Sequence, residues 1–352
     1  MKTYNHLYAQ IANFQSLYAA WRKARRGKRY TPSASAFESS LDEALLQLYE
    51  ALSDESYRPG AYRSFTINEP KRRRISAAPF RDRVVHHALC AALTPIYERK
   101  FIYDSYANRV GKGTHAALDR CTQFMRKWRY VLQCDIEQFF PAVDHALLKE
   151  MLARTIACRK TLRLCDKIID GGAGILDSEY TIRWFPQDKS LFDALRPRGL
   201  PIGNQTSQFW ANVYLNPLDH FIKRELGCRG YLRYVDDFLL FADDTRTLHL
   251  WREAIMTFLD QQRLTIHENR AQPTPVEHGI PFLGFTVFPT HRRLKREKGI
   301  AFRRHLYGLY HAYRRGEIPH KKLKASIQAW VGHAAHGDTW GLRREIFAGM
   351  VG

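Results

Sequence analysis

Along residues 1–55, apolar and aromatic side chains recur at intervals of three and four, as in FESSLDEALLQLYEALSDESY, and predict helices. The period changes over 60–80, where YRSFTI alternates and Pro59-Gly60 and Glu69-Pro70 mark turns, so extended chain is expected. Helical spacing returns at 81–100. YVLQCDIEQFF at 130–140 predicts a buried strand running into a turn at Pro141. Residues 144–170 read as helical. Residues 171–200, punctuated by Gly171-Gly172, Gly174, Pro186, Pro197 and Gly199, predict loops with short strands. A helix with a polar N-terminal end is expected at 204–226, a hairpin at 231–242, a helix at 247–263, and a strand pair or bend at 279–289. The remainder reads as helical and basic. No repeat or low-complexity linker marks a boundary. The order predicts an α+β core in which the 231–242 hairpin meets the strand ending at Asp135.

Composition narrows the classes. Hydrophobic residues make up 45% of 352, which fits a globular chain of two or three domains, or one large core with an appended lobe. No apolar run is long enough for a membrane span, and MKTYNHLYAQ has no apolar signal core, so a cytoplasmic location is expected. Six scattered cysteines form no CxxC pair, which disfavours a zinc ribbon or a disulfide framework; Cys158 and Cys165 read as core. The net charge of +20 favours a polyanionic partner, against the plain alternative of a solvated basic surface. Residues 291–324 hold twelve Lys or Arg against Glu297 and Glu317, a net of +10. Smaller basic clusters lie at 21–30 and 71–74. Phe302, Tyr307, Tyr310 and Tyr313 are interleaved with the large cluster, as in a groove that tracks phosphates and stacks bases. Tyr307 and Tyr310 equally fit a helix core stripe.

Against this background, Asp236, Asp237, Asp243 and Asp244 crowd into nine residues. Asp243 and Asp244 suit a surface loop. Asp236 and Asp237 do not, because they sit between the apolar runs YLRYV and FLLFA, where carboxylates need a partner or a metal. Joined by Asp135, they make an oxygen donor set for a divalent cation. Two carboxylates bridging two magnesium ions are the minimum for two-metal phosphoryl transfer.

Tyr234-Val235-Asp236-Asp237 resembles the YxDD box of reverse transcriptases. Four further segments resemble that family in its order: CDIEQFFPAVD around Asp135, LPIGNQTSQFWANVYLNPLD at 200–219, PFLGF at 281–285, and EPKRRRISAAPFRDRVVHHAL at 69–89, the last as in the bacterial, group II intron-like branch. The resemblance implies a right-hand polymerase fold. N-terminal helices and fingers, with part of the palm, would occupy 1–130. The palm would occupy 131–289, with a fingers-like excursion near 150–200, and a basic helical thumb 290–352. It implies Asp135, Asp236 and Asp237 as catalytic metal ligands for two Mg2+ ions, with Mn2+ as a substitute. It places Phe140 as the bulky gate beside the sugar 2′ position. One of Phe139 and Phe140 should be core, since consecutive strand residues face opposite ways. Arg74, Arg81 and Arg83 are candidates for the incoming triphosphate, with a solvated face as the alternative. Ile202, Gly203 and Gln208 fall in the nucleotide-packing box. Tyr234, Phe282, Leu283 and Gly284, with Arg303, Arg304, Arg314 and Arg315, are candidates for primer and template contact.

Two departures refine the resemblance. Ile202 stands where most of the family has Gln, and Gln208 where it has Pro; losing the Gln removes a polar anchor for the nucleotide. This IGNxTSQ pattern, with AWVGHAAHGDTWGLRR at 329–344, resembles reverse transcriptases of diversity-generating retroelements, which misincorporate opposite template adenines. That subfamily implies a template RNA, a cDNA or primer strand, dNTPs and a small basic accessory protein that forms an oligomeric helical bundle. Arg270 in HENR stands where the family has Lys as a proton donor; Arg is a poor acid, so phosphate contact suits it better. The alternatives are a defence-system or retron reverse transcriptase and a maturase-like RNA scaffold. His333 and His336 share a helix face but lack a third ligand, so a structural role near nucleic acid is expected.

Overall fold

The computed structural model describes residues 3–67 and 73–348. Glu69-Pro70 and the first half of the 71–74 basic run lie outside the described residues. The chain opens with α1 (Tyr8–Ile11), α2 (Phe14–Ala24), α3 (Pro32–Ser39) and α4 (Leu41–Ser53). Asn13 caps α2 by accepting from the Ser16 N–H at 2.9 Å. Leu17, Ala20, Trp21 and Ala24 form its buried stripe. β1 (Arg63–Ile67) and β2 (Arg73–Ala77) form an antiparallel hairpin, and α5 (Phe80–Tyr97) follows. α5 is apolar on most sides because other helices surround it.

Next come α6 (Thr114–Lys127), β3 (Tyr130–Asp135), α7 (Phe139–Ala142), α8 (His145–Ala153), α9 (Arg159–Asp170), α10 (Leu191–Ala194) and α11 (Gln205–His220). After them come β4 (Gly230–Tyr234), β5 (Asp237–Ala242), α12 (Thr245–Gln261) and β6 (Pro273–Pro275). β3–β6 form an antiparallel sheet in the order β4-β5-β3-β6. Alternate residues of its strands enter different cores. Leu132, Cys134, Phe238 and Leu240 join the large core, whereas Val131, Leu232, Leu239 and Phe241 join a second. Burial on both faces explains why these strands read as nearly continuous apolar runs, interrupted by Gln133 and Arg233.

β7 (Ile280–Phe282), β8 (Phe285–Val287) and β9 (Arg292–Leu294) form a small sheet. α13 (Arg296–Arg314), α14 (His320–Ala334) and α15 (Trp340–Ala348) then enclose a third core of Phe302, Leu306, Leu323 and Ile346. Among the described residues, no helix is long and apolar enough to cross a membrane. All six cysteines are free and buried.

Three expectations need correction. Residues 171–200 contain no strand; they form turns, one 3-10 turn at Asp177–Glu179, and α10. Ion pairs hold this segment in place of a sheet edge: Arg196 to Asp144 at 2.8 Å, Arg198 to Asp177 at 3.1 Å. A Ser190–Asp193 capping box starts α10. Phe139 and Phe140 lie on a short helix, not a strand, because Gln138 takes a left-handed φ of 46° and turns the chain. Phe302 stacks on Trp330 at 4.0 Å inside the third core and offers no free ring to a base, whereas half-buried Tyr310 packs against that core as the helix-stripe alternative expects.

Candidate active site and nucleic-acid cleft

The antiparallel register of β3 and β5 sets Asp135 directly opposite Asp237. The β4–β5 turn then carries Asp236 alongside, and the Ile136 N–H donates to the Asp236 carbonyl at 3.2 Å. Gln133, two residues before Asp135 and on the same face, donates to Asp237 Oδ1 at 3.1 Å and to the Pro281 carbonyl at 3.2 Å. The His267 N–H donates to the Asp135 carbonyl at 3.0 Å. The His267 ring stands 3.9 Å from Asp135 Oδ2 and 3.2 Å from Glu137 Oε1.

These carboxylates line a cleft of about 1020 Å³. Arg73 and Ile202 contribute to its lining, as do Arg270, Leu283, Lys295 and Phe140. Burial, then the Asp135 charge, pushes the Asp236 carboxyl up to about 6, with Arg73 opposing. Asp237 is pushed up to about 7 by burial and by the charges of Asp135 and Asp236, against the Gln133 bond and Lys295. Without a further positive charge, the three carboxylates resist being ionised together.

Residues 67–287 match the family described as reverse transcriptase (RNA-dependent DNA polymerase). The chain belongs to the reverse transcriptase family. It is 25% identical to protein YkfC of Escherichia coli strain K12 over 302 residues, covering 72% of this chain and 75% of YkfC. It is 27% identical over 184 residues to the group II intron-encoded protein LtrA of Lactococcus lactis, covering 51% of this chain but 28% of LtrA. A telomerase structure from Candida albicans aligns with a TM-score of 0.46 and 11% identity, over 71% of this chain and 49% of that one. A group II intron-encoded protein is thus among the relatives this reverse transcriptase resembles.

Several sequence-selected residues of this reverse transcriptase meet in the cleft: Asp135, Asp236, Asp237, Phe140, Ile202, Arg270, Tyr234 and Leu283. Phe139 is core, whereas Phe140 is half-buried at the cleft. Gly203 has φ +112°, and a Cβ there would come within 2.8 Å of Ile75 Cγ2, so the close approach to β2 requires glycine.

Others are not brought there. Arg74 lines two adjoining cavities and donates to Ser178 at 3.1 Å; strand alternation gives the cleft to Arg73 instead. Arg81 lies over the Tyr57 ring at 5.5 Å, and Arg83 donates to the Ala78 carbonyl at 2.9 Å, both outside the lining. Gln208 is exposed on α11, away from the cleft. Phe282 is wholly buried in the second core and cannot touch a primer. Gly284 shares the tight β7–β8 turn with Leu283, both with positive φ, but of the two only Leu283 lines the cleft. Arg303, Arg304, Arg314 and Arg315 are exposed near or on α13, beyond the cleft; Arg315 pairs with Glu317, and Arg303 faces Glu345 at 3.9 Å. His333 and His336 pack against His115, with centroids 5.6 and 3.5 Å away, and tie α14 to α6.

Sequence reasoning missed Arg73, Gln133, His267 and Lys295. Gln133 carried a signal as the polar interruption of an apolar strand two positions before Asp135. Arg73 and Lys295 sat inside basic runs whose facing could not be read.

Proposed function

We propose that this reverse transcriptase copies a template RNA into cDNA with Asp135, Asp236 and Asp237 as its catalytic carboxylates, and that it does so error-prone at adenines as part of a diversity-generating retroelement. The observation that carries the catalytic part is the cross-strand placement of Asp135 against Asp237, with Asp236 beside them in a cation-walled cleft. The donors fit hard divalent ions: all are carboxylate oxygens, and their mutual repulsion calls for positive charge. Among the described residues, no group of three or more His, Cys, Asp or Glu is already drawn together as a metal cage. Magnesium takes one or two protein carboxylates and completes its shell with water and substrate phosphate, so the cross-strand pair Asp135 and Asp237 is what the proposal asks of the chain. When bound, divalent ions lower the pKa of the attacking 3′-hydroxyl and neutralise the leaving pyrophosphate.

The chain's own residues bind and orient. Arg73, Arg270 and Lys295 attract the triphosphate. Gln133 fixes the Asp237 carboxylate. Phe140 fills the space beside the sugar 2′ carbon and excludes a ribose hydroxyl by volume. Ile202 offers the nucleotide no side-chain hydrogen bond, which supports relaxed selection of the incoming base. The basic helices after residue 290 supply sequence-independent phosphate contacts.

Primer extension on a heteropolymeric RNA, with magnesium and four dNTPs, followed by cDNA sequencing, tests this. Full-length cDNA with errors concentrated opposite adenine supports the proposal. Accurate cDNA, with or without a candidate accessory protein, overturns the retroelement part and favours a defence or retron role. No cDNA under either condition overturns the polymerase part.

A further inference from the structure

Behind the Asp236-Asp237 turn lies a side chain that the chemistry above does not use. Arg233 on β4 is 0% exposed, and so is its partner Asp219 on α11. A guanidinium has five N–H donors, and here each has an acceptor. Nε and Nη2 donate to the two Asp219 oxygens at 2.8 and 2.7 Å. The second Nη2 hydrogen goes to Ser105 Oγ at 3.2 Å, and one Nη1 hydrogen to Asn212 Oδ1 at 3.2 Å. The last goes forward, from Nη1 to the Val235 carbonyl at 2.9 Å. Tyr231 completes the surroundings by donating to Asp219 Oδ1 at 2.7 Å.

The Val235 end of this network is strained. Val235 has φ +58°, a left-handed conformation that β-branched residues rarely adopt. Such a conformation persists only where its surroundings hold it. Val235 is also the residue immediately before Asp236, so the orientation of its carbonyl sets the direction in which the two carboxylates leave the sheet. Stability alone is a poor reason for a buried ion pair, because an apolar pair of similar volume often serves as well.

We propose that Arg233, locked by Asp219, is a positioning residue for the polymerase reaction: its bond to the Val235 carbonyl holds the turn in its left-handed form and so fixes Asp236 and Asp237 relative to Asp135. The inference rests on the reading of those aspartates as catalytic.

The test separates positioning from stability. The double variant Arg233→Met, Asp219→Leu replaces the ion pair with apolar side chains and removes the bond to Val235. Thermal unfolding, template–primer affinity, kcat and the magnesium concentration for half-maximal rate are measured on the full chain. The expected result is a folded protein with template–primer affinity near the parent's. Its kcat should be lower by about tenfold to a hundredfold, because small misplacements of reacting groups cost that much, and its magnesium requirement should be raised. A folded double variant with parental kcat and magnesium dependence overturns the proposal. Arg233→Lys covers the case in which the double variant does not fold. It keeps the charge opposite Asp219 but not the five-donor fork, and should lower kcat and raise the magnesium requirement in the same direction; parental values for both overturn the proposal. Asp236→Ala, Asp237→Ala runs alongside. If that control polymerises, the catalytic reading fails whatever Arg233 does. If the control is inactive while the folded Arg233 variants behave as the parent, only the positioning role fails.

Discussion

The two sides of the β4–β5 turn handle charge in opposite ways. Behind it, Arg233 and Asp219 are sealed from solvent and every donor of the guanidinium has an acceptor. In front, three carboxylates share a cleft, where burial first and then their neighbours' charge push the Asp236 and Asp237 carboxyls upward. The rear is electrostatically complete and holds the turn. The front is incomplete, which is what a site that recruits cations and phosphates requires. Only Tyr234 and Val235 separate Arg233, on β4, from Asp236 in the turn, so one short stretch of chain carries both.

The largest effect should come from breaking the front. Asp236→Ala, Asp237→Ala is expected to cost at least about a thousandfold in primer extension, since metal-assisted charge stabilisation contributes several kcal/mol. In metal-free buffer at neutral pH the same variant should not unfold at a lower temperature. Carboxyls whose folded pKa lies above the unfolded value stabilise below that unfolded value, and this contribution is lost as pH rises to about 6 and about 7. Breaking the rear should do the reverse. Asp219→Ala strands a buried guanidinium and should lower folding stability by about 3–5 kcal/mol in denaturant titrations.

A milder test uses His86, another sealed group, 1% exposed and with neither ring nitrogen hydrogen-bonded. Burial holds it down to about 3, and neighbouring His87 to about 4. The unfolded chain takes up these protons below pH 6.5 and the folded chain does not. Stability is therefore full above 6.5 and falls as pH drops, at up to about 1.4 kcal/mol per pH unit for sealed His86 and less for half-exposed, screened His87. His86→Leu should flatten that slope in denaturant titrations at pH 4 to 7. The smallest effect belongs to the exposed basic surface. Arg304→Gln should weaken template binding uniformly across sequences and reduce the log–log salt slope by about one.

How much of this was legible depended on whether a residue's facing followed from local pattern. The apolar runs around Asp135 and Asp236-Asp237 marked both strands, since burial on two faces leaves no polar alternation to confuse the reading. The box at 200–219 was legible only as a resemblance; the close approach of Gly203 to β2, which tolerates no side chain, depends on a contact more than a hundred residues away in sequence. The basic run at 71–74 was not, because parity decides whether Arg73 or Arg74 enters the cleft, and a charge run looks the same in either register. Arg81 and Arg83 were misread for a similar reason: they sit on a helix whose N-terminal turn faces Tyr57 and Ala78. Gln138 turning left-handed could not be foreseen from EQFF; Phe139 is buried and Phe140 half-buried, but on a helix, so strand alternation is not the reason. Arg233 looked like an ordinary strand residue because its side-chain acceptors, Asp219, Asn212 and Ser105, lie on other elements and only the Val235 carbonyl is local.

The sheet order has a kinetic corollary. β4 and β5 are joined by a tight turn and can pair early, but β3 reaches β5 only by closing a loop of about a hundred residues, a slow, non-local step. Asp135 and Asp237 therefore become neighbours late in folding. A nascent or partly refolded chain can bury its hairpin and its N-terminal helices while still lacking an assembled cleft, so activity should lag behind recovery of helical signal during refolding.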